Sequence, residues 1–283
     1  MRKRSTQKLD NRQNKSDRRI IVLDIDGTLV NSKKEITPAT KEALTDIQEK
    51  GHIVALASGR PYPGMVKYIK ELKLDAFGGF ALAFNGGKVI DCRTREIVFE
   101  KCIDKSYLPV IFNYAVEHGL GMVTYRDDEV ITGTDIDDYM AYEARLNNMP
   151  IRRLDDFVGA VDFDMPKCLL TAEPDRAERY EEELKELLAP SLNVFRSEAY
   201  FIEITRKGVD KAESVDRLLS RIGMKKEQSI CCGDGFNDLT MVQYGGIGVA
   251  MGNAQQIVKE NADYVTASCD EDGIVQVIEK FMM

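Results

Sequence analysis

Two aspartates spaced i, i+2, Asp24 and Asp26, follow the short apolar run Ile20-Ile21-Val22-Leu23 and lead into Gly27-Thr28. Carboxylates this close are costly to hold together unless a cation or an acid–base role engages them. A second run, Ser229-Ile230-Cys231-Cys232, ends in Gly233-Asp234-Gly235-Phe236-Asn237-Asp238. A third, Ile53-Val54-Ala55-Leu56-Ala57, ends in Ser58-Gly59-Arg60. If the three ends meet, they bring together several carboxylates, a hydroxyl, glycine-rich backbone and a nearby cation. That set suits Mg²⁺ held by one or two carboxylates, with its other positions left to water and phosphate oxygens. It is the wrong set for zinc, which favours N and S donors. His52 and His118 each stand alone, and the six cysteines show no CxxC pair. Histidine triads and zinc sites are therefore poor candidates, and the chemistry falls to carboxylates and lysines.

The elements that would position these groups follow from the pattern. Apolar runs without alternation, rich in β-branched residues, suit strands buried on both faces of a parallel sheet. Open α/β sheets place ligands beyond the C-terminal ends of such strands. In an extended chain Asp24 and Asp26 share a side, and Gly27 permits a sharp turn after them. Thr37-Pro38 is an N-cap followed by Pro at the first helical position, Leu44 and Ile47 keep a helical period, and Gly51 closes the segment. With the flanking runs this makes a βαβ unit. A short helix is expected from about Gly64 to Leu72, then turns and hairpin strands around Asn85-Gly86-Gly87, Lys88–Ile90 and Glu96–Phe99. From Gly208 a further helix runs through Val215, Leu218, Leu219 and Ile222 to Gly223.

Between about Cys102 and Ile204 the texture changes. Helical patterns (Leu108–Glu117, Tyr139–Leu146, Asp175–Leu188) alternate with strand-like runs at Gly121–Tyr125, Lys167–Ala172 and Ala199–Thr205. That length is enough for a separate small α/β domain. The organisation expected is a core of residues 19–101 and 205–283, an insertion over 102–204, and a disordered basic tail at 1–18 that lacks the apolar centre of a secretory signal.

The chain has 283 residues with 39 basic and 47 acidic side chains, a formal charge of -8. That balance argues against nucleic-acid or anionic-membrane binding by the protein as a whole. No apolar run reaches the ~18 residues of a membrane span. A chain this long needs no disulfides, so the cysteines read as reduced thiols and the location as cytoplasmic. Cys231 and Cys232 read as core residues, Lys207 as a surface charge, and Arg60 as either a substrate contact or an ion-pair partner.

In motif order and spacing the chain resembles the haloacid dehalogenase superfamily, and within it the Cof-like branch of sugar-phosphate-type phosphatases. The motifs are Asp24-Ile25-Asp26-Gly27-Thr28-Leu29; Leu56-Ala57-Ser58-Gly59-Arg60; Lys207-Gly208-Val209-Asp210-Lys211; and Gly233-Asp234-Gly235-Phe236-Asn237-Asp238. Gly248–Ala254 and Glu271-Asp272-Gly273 also match. The resemblance covers everything after the tail, the middle hundred residues only loosely. It implies an α/β fold: a Rossmann-like parallel-sheet core with an inserted α/β cap over the site that chooses the substrate.

The resemblance also implies roles. Asp24 is the nucleophile that forms an aspartyl-phosphate, and Asp26 is the acid and then the base. Related ion pumps carry Thr at the position of Asp26, so Asp there implies rapid hydrolysis of the intermediate. Thr28, Ser58, Gly59, Lys211 and Asn237 are the implied phosphate ligands. Asp24, Asp26 (through its carbonyl) and Asp234 are the implied Mg²⁺ ligands, oriented by Asp238. The implied partner is a small phosphate monoester, met by a monomer or weak homo-oligomer. A phosphomutase, or a regulator that binds a sugar phosphate without turnover, is the alternative.

Overall fold

The structure is a computed structural model that describes residues 18–283. Apart from Arg18, the tail lies outside the described residues. The first strands are β1 (Ile20–Leu23), β2 (Ile53–Ala57), β3 (Phe80–Ala83), β4 (Lys88–Asp91) and β5 (Ile97–Glu100). Six more come from the middle of the chain: β6 (Gly121–Arg126), β7 (Glu129–Thr132), β8 (Ile151–Arg153), β9 (Cys168–Thr171), β10 (Leu192–Glu198) and β11 (Phe201–Arg206). The last three are β12 (Ser229–Gly233), β13 (Ile247–Ala250) and β14 (Tyr264–Val265).

These strands form two sheets. One has the order β14-β13-β12-β1-β2-β3-β4-β5, parallel from β14 through β3 and antiparallel at the β4 and β5 edge. The chain is thus α/β with a parallel-sheet core. Alternate residues of its central strands serve opposite layers, as period 2 requires. Ile21, Leu23, Val54 and Leu56 pack with Leu44, Ile47 and Ile278, whereas Ile20, Val22, Ala55 and Ala57 pack with Val215, Leu218 and Met241. Helices therefore cover both faces, which is why these strands read as unbroken apolar runs.

The register sets the site. Leu23 lies opposite both Cys232 and Leu56, so β1, β2 and β12 run out at one level. Asp24, Ser58 and Asp234 are the residues beyond that edge. The helix Pro38–Glu49 starts where Thr37 caps it by accepting from Thr40 N. The helix Lys211–Ile222 starts with Asp210 accepting from Glu213 N and ends at Gly223 in the left-handed region.

The second sheet has the order β10-β11-β9-β6-β7-β8 and is antiparallel except for β7 with β8. Ile202, Ile204, Met122 and Leu170 on one face pack against the helices Leu108–His118 and Pro174–Leu188. Val123, Tyr125, Leu169 and Phe201 on the other face join the cluster that continues into the first sheet's layer. Phe84, in the turn after β3, meets Tyr125 edge-on at 5.2 Å between ring centroids. β11 runs on to Arg206, past the junction expected at residue 204. No helix among the described residues is long and apolar enough to cross a membrane.

Candidate active site

Asp24 is buried at the end of β1, its amide donating to Cys232 O at 3.1 Å. Lys211, at the first position of its helix, is fully buried and places Nζ 2.6 Å from Asp24 Oδ1 and 2.5 Å from Asp238 Oδ1. The other oxygen of Asp238 accepts the amides of Asp234 and Gly235, each at 2.9 Å. Asp238 is thereby fixed by its own loop, and it fixes Lys211 in turn. Oxygens of Asp24, Asp234 and Asp238 all lie within 4.8 Å of one another.

Charge explains the tension in this group. Burial first, and then the charge of Asp238, push the Asp24 carboxyl well above the usual carboxylate range, against the pull of Lys211. Burial alone would lower the Lys211 ammonium, but Asp238 and Asp24 outweigh it and raise its pKa. Burial raises Asp234 to about 6, with the Thr28 hydrogen bond opposing the shift and the charge of Asp238 adding to it. A single lysine among three carboxylates leaves negative charge without compensation. An all-oxygen donor set in that state suits a hard divalent cation.

Asp26 is set apart from this group. Arg60 grips it through Nε at 2.9 Å and Nη2 at 3.0 Å, and Lys34 Nζ sits 2.8 Å from its Oδ1. Burial would raise its pKa, but the Arg60 and Lys34 hydrogen bonds and charges win, so the net shift is downward. Gly27 makes the turn just after the two aspartates possible. It has φ +87°, and a side-chain carbon there would lie 2.4 Å from Asp234 Oδ2. The strand ends open into a cleft of about 870 Å³, lined on one wall by Asp24, Ser58, Asn85 and Asp234, and on the other by residues of the second sheet.

A family model described as haloacid dehalogenase-like hydrolase matches residues 21–278. The chain belongs to that family. A haloacid dehalogenase-like hydrolase of known structure from Bacteroides thetaiotaomicron is 44% identical to it. The two align at a TM-score of 0.88 over 93% of this chain and 99% of the other. YxeH of Bacillus subtilis, a candidate phosphatase, is 29% identical over 94% of this chain and 98% of its own length. The sugar phosphatase BT4131 is 25% identical, with a TM-score of 0.77 over 93% of this chain and 98% of that one. These relatives put the chain in the Cof-like branch and make it a hydrolase of the phosphatase class.

In this haloacid dehalogenase-like hydrolase, Asp24, Asp26, Ser58, Gly59, Lys211, Asp234, Asn237 and Asp238 all line the cleft. Two residues are engaged differently from the sequence reading. Thr28, read as a phosphate ligand, is buried and turns its hydroxyl onto Asp234 Oδ1 at 2.8 Å, so its side chain steadies that carboxylate. Asn237, read the same way, is exposed and donates from Nδ2 to Asn85 Oδ1 at 3.0 Å. Arg60 is the ion-pair partner of Asp26 rather than a free contact. Lys207 is exposed, and Cys231 and Cys232 are fully buried, with burial pushing the Cys231 thiol up to about 12.

Sequence reasoning missed Asn85 and Lys34. Asn85 follows β3, a fourth parallel strand end, and that position was its available signal. Lys34 reaches Asp26 from a turn in which its own φ is +61°, and no spacing pattern marks it.

Proposed function

We propose that the protein is a Mg²⁺-dependent phosphatase that hydrolyses small phosphate monoesters, sugar phosphates foremost, through an aspartyl-phosphate on Asp24. The juxtaposition of the buried Asp24 carboxylate with Lys211 and with the Asp234 and Asp238 oxygens, beside Asp26, carries this reading. A core of 19–101 and 205–283 with a cap over 102–204 belongs to the same proposal, supported by the two separate sheets.

Asp24 and Asp234, with the Asp26 carbonyl, would hold Mg²⁺, and Asp238 would orient the group. The ion would supply positive charge between an anionic nucleophile and an anionic substrate. Asp24 attacks phosphorus and the ester P–O bond breaks, while Asp26 gives its proton to the leaving oxygen. Water then attacks the phosphoryl group, Asp26 takes its proton, and Asp24 and phosphate separate. The ammonium of Lys211 and the polar groups of Ser58 and Gly59 face the charge that grows on the phosphoryl oxygens. The Arg60 and Lys34 contacts favour the ionised, proton-accepting form of Asp26. Delivery of a proton in the first step therefore requires that grip to loosen when substrate enters.

Phosphate release from a panel of sugar and nucleotide monophosphates, with Mg²⁺ and with chelator, tests the reading. Metal-dependent release concentrated in one chemical group of substrates supports it. No release by folded, Mg²⁺-binding protein would overturn it in favour of a mutase or a binding regulator.

A further inference from the structure

The wall of the cleft opposite Asp24 holds a second charged group that the reaction does not use. Lys167, just before β9, and Glu203, in β11, form an ion pair with Nζ to Oε1 at 3.2 Å. Both are more than nine-tenths buried, and both line the cleft. Their orientation follows from strand alternation. Phe201 and Glu203 fall on the cleft side of β11, whereas Ile202 and Ile204 fall on the helix-covered side.

A buried ion pair is weak evidence for stability, because apolar residues of similar volume often serve as well or better. This pair is also incompletely satisfied. Glu203 Oε2 is buried without a hydrogen-bond partner. Lys167 has three donors. Among the described residues its ammonium meets Glu203, with the Tyr125 ring centroid 5.4 Å from Nζ. Glu143, which also lines the cleft, accepts a 2.6 Å bond from Tyr125 OH, and with Glu198 and Glu203 it outnumbers Lys167 and Arg196 on this wall, which leaves an excess of negative charge. Phe201, Tyr142 and Leu146 supply apolar surface around the group.

We propose that Lys167 and Glu203 determine specificity by reading the hydroxyl groups of an uncharged, polyhydroxylated leaving group. Glu203 Oε2 accepts from one hydroxyl and Lys167 Nζ donates to its neighbour. This inference rests on the phosphatase reading above and narrows its substrate. The local charge supports the choice. Lys167 is neutralised by Glu203, Arg196 is paired with Glu181, and Glu143 and Glu198 add further carboxylates, so a leaving group bearing its own carboxylate or second phosphate is repelled. A site built to hydrogen-bond hydroxyls also rejects analogues that lack them, since its buried polar atoms are then left unpaired.

The test uses the whole chain with Mg²⁺ and three kinds of probe. Glucose 6-phosphate, ribose 5-phosphate and sorbitol 6-phosphate carry neutral polyol leaving groups, p-nitrophenyl phosphate carries none of the hydroxyls, and 3-phosphoglycerate carries a carboxylate. In wild type, the best polyol phosphate exceeds 3-phosphoglycerate in kcat/KM by about tenfold or more. In Glu203→Gln and Lys167→Met, kcat/KM on that polyol phosphate falls about tenfold or more, while p-nitrophenyl phosphate changes by less than about twofold.

Equal losses on both probes in a folded variant, or no loss on either, would overturn the assignment. If a variant fails to fold, the wild-type comparison still decides, because 3-phosphoglycerate turned over as well as the polyol phosphates would also overturn it. Wild-type protein inactive on every probe, p-nitrophenyl phosphate included, would instead indict the phosphatase reading itself.

Discussion

The two sheets handle polar residues in opposite ways. In the parallel sheet the strands β1, β2 and β3 are apolar throughout, and Asp24, Ser58 and Asp234 stand just past the paired residues. In the second sheet polar and charged groups sit on or against the face of the sheet itself: Glu203 in β11 pairs with Lys167 beside β9, and Tyr125 in β6 donates to Glu143 of the helix Asp138–Leu146. The first arrangement gives the proposed catalytic groups a backbone-fixed origin, shared by whatever substrate arrives. The second builds a surface from side chains alone, and side chains can change without disturbing the strand ends. On the proposed function, chemistry and selectivity are thus separated between two kinds of sheet.

That separation can be broken at four points. The largest effect is expected for Asp24→Asn: kcat falls by about four orders of magnitude or more on every substrate, while the thermal unfolding midpoint stays close to wild type. Near-normal hydrolysis by that variant would remove Asp24 as nucleophile. Lys211→Met comes next. It leaves Asp24 and Asp238 facing each other in a buried site, so denaturant titration should read a loss of about 3–5 kcal/mol along with lost turnover. Stability equal to wild type would show that the lysine is not what holds the two acids together.

On the second sheet, Ile202→Ala opens space beneath the helix-covered face and should cost about 2–4 kcal/mol. At a temperature where it stays folded, its kcat on p-nitrophenyl phosphate should match wild type. A large fall there would show that the two sheets are not separable.

The smallest effect concerns pH. Asp24 and Asp234 are both raised, so the folded state holds their protons more tightly than the unfolded chain does. Their contribution to stability is therefore present in acid and lost as pH rises through the folded values, about 6 for Asp234. Mg²⁺ should offset that loss. The gap in melting temperature between Mg²⁺ and chelator is expected to widen from about pH 5 to about pH 8. A gap that stays constant would place the bound ion away from these carboxylates.

The same contrast explains what could be read in advance. β1, β2 and β12 are apolar on both faces, and the helix Lys211–Ile222 carries an N-cap, a periodic stripe and a closing glycine, so their positions are legible in sequence. β10 is not: of Leu192–Glu198 only Leu192 and Val194 are buried, and the rest of the strand reads as a polar loop. β7 and β8 are short and lie toward the sheet edge, where alternation has little length in which to show. Asp24, Ser58 and Asp234 stand out as site candidates because each follows a recognisable strand end. Partner residues are less legible: Arg60 and Lys34 meet Asp26, and Asn85 meets Asn237, only once turns have folded. Lys167 and Glu203 lie 36 residues apart and meet only across paired strands.

The register of β1 between β2 and β12 has a consequence for the order of synthesis. Asp24 emerges from the ribosome well before Lys211 and β12, which follow only after the whole second sheet. At usual elongation rates that interval is on the order of ten to forty seconds. During it β1 can pair with β2 on one edge but must wait for its partner on the other, so its bare side is exposed to mispairing. A nascent or truncated chain that stops short of Lys211 also has Asp24 with no lysine beside it, and on the proposed function is expected to be inert. On the proposed function, turnover waits for the Lys211 helix and β12, so incomplete chains are expected to leave phosphate esters uncleaved.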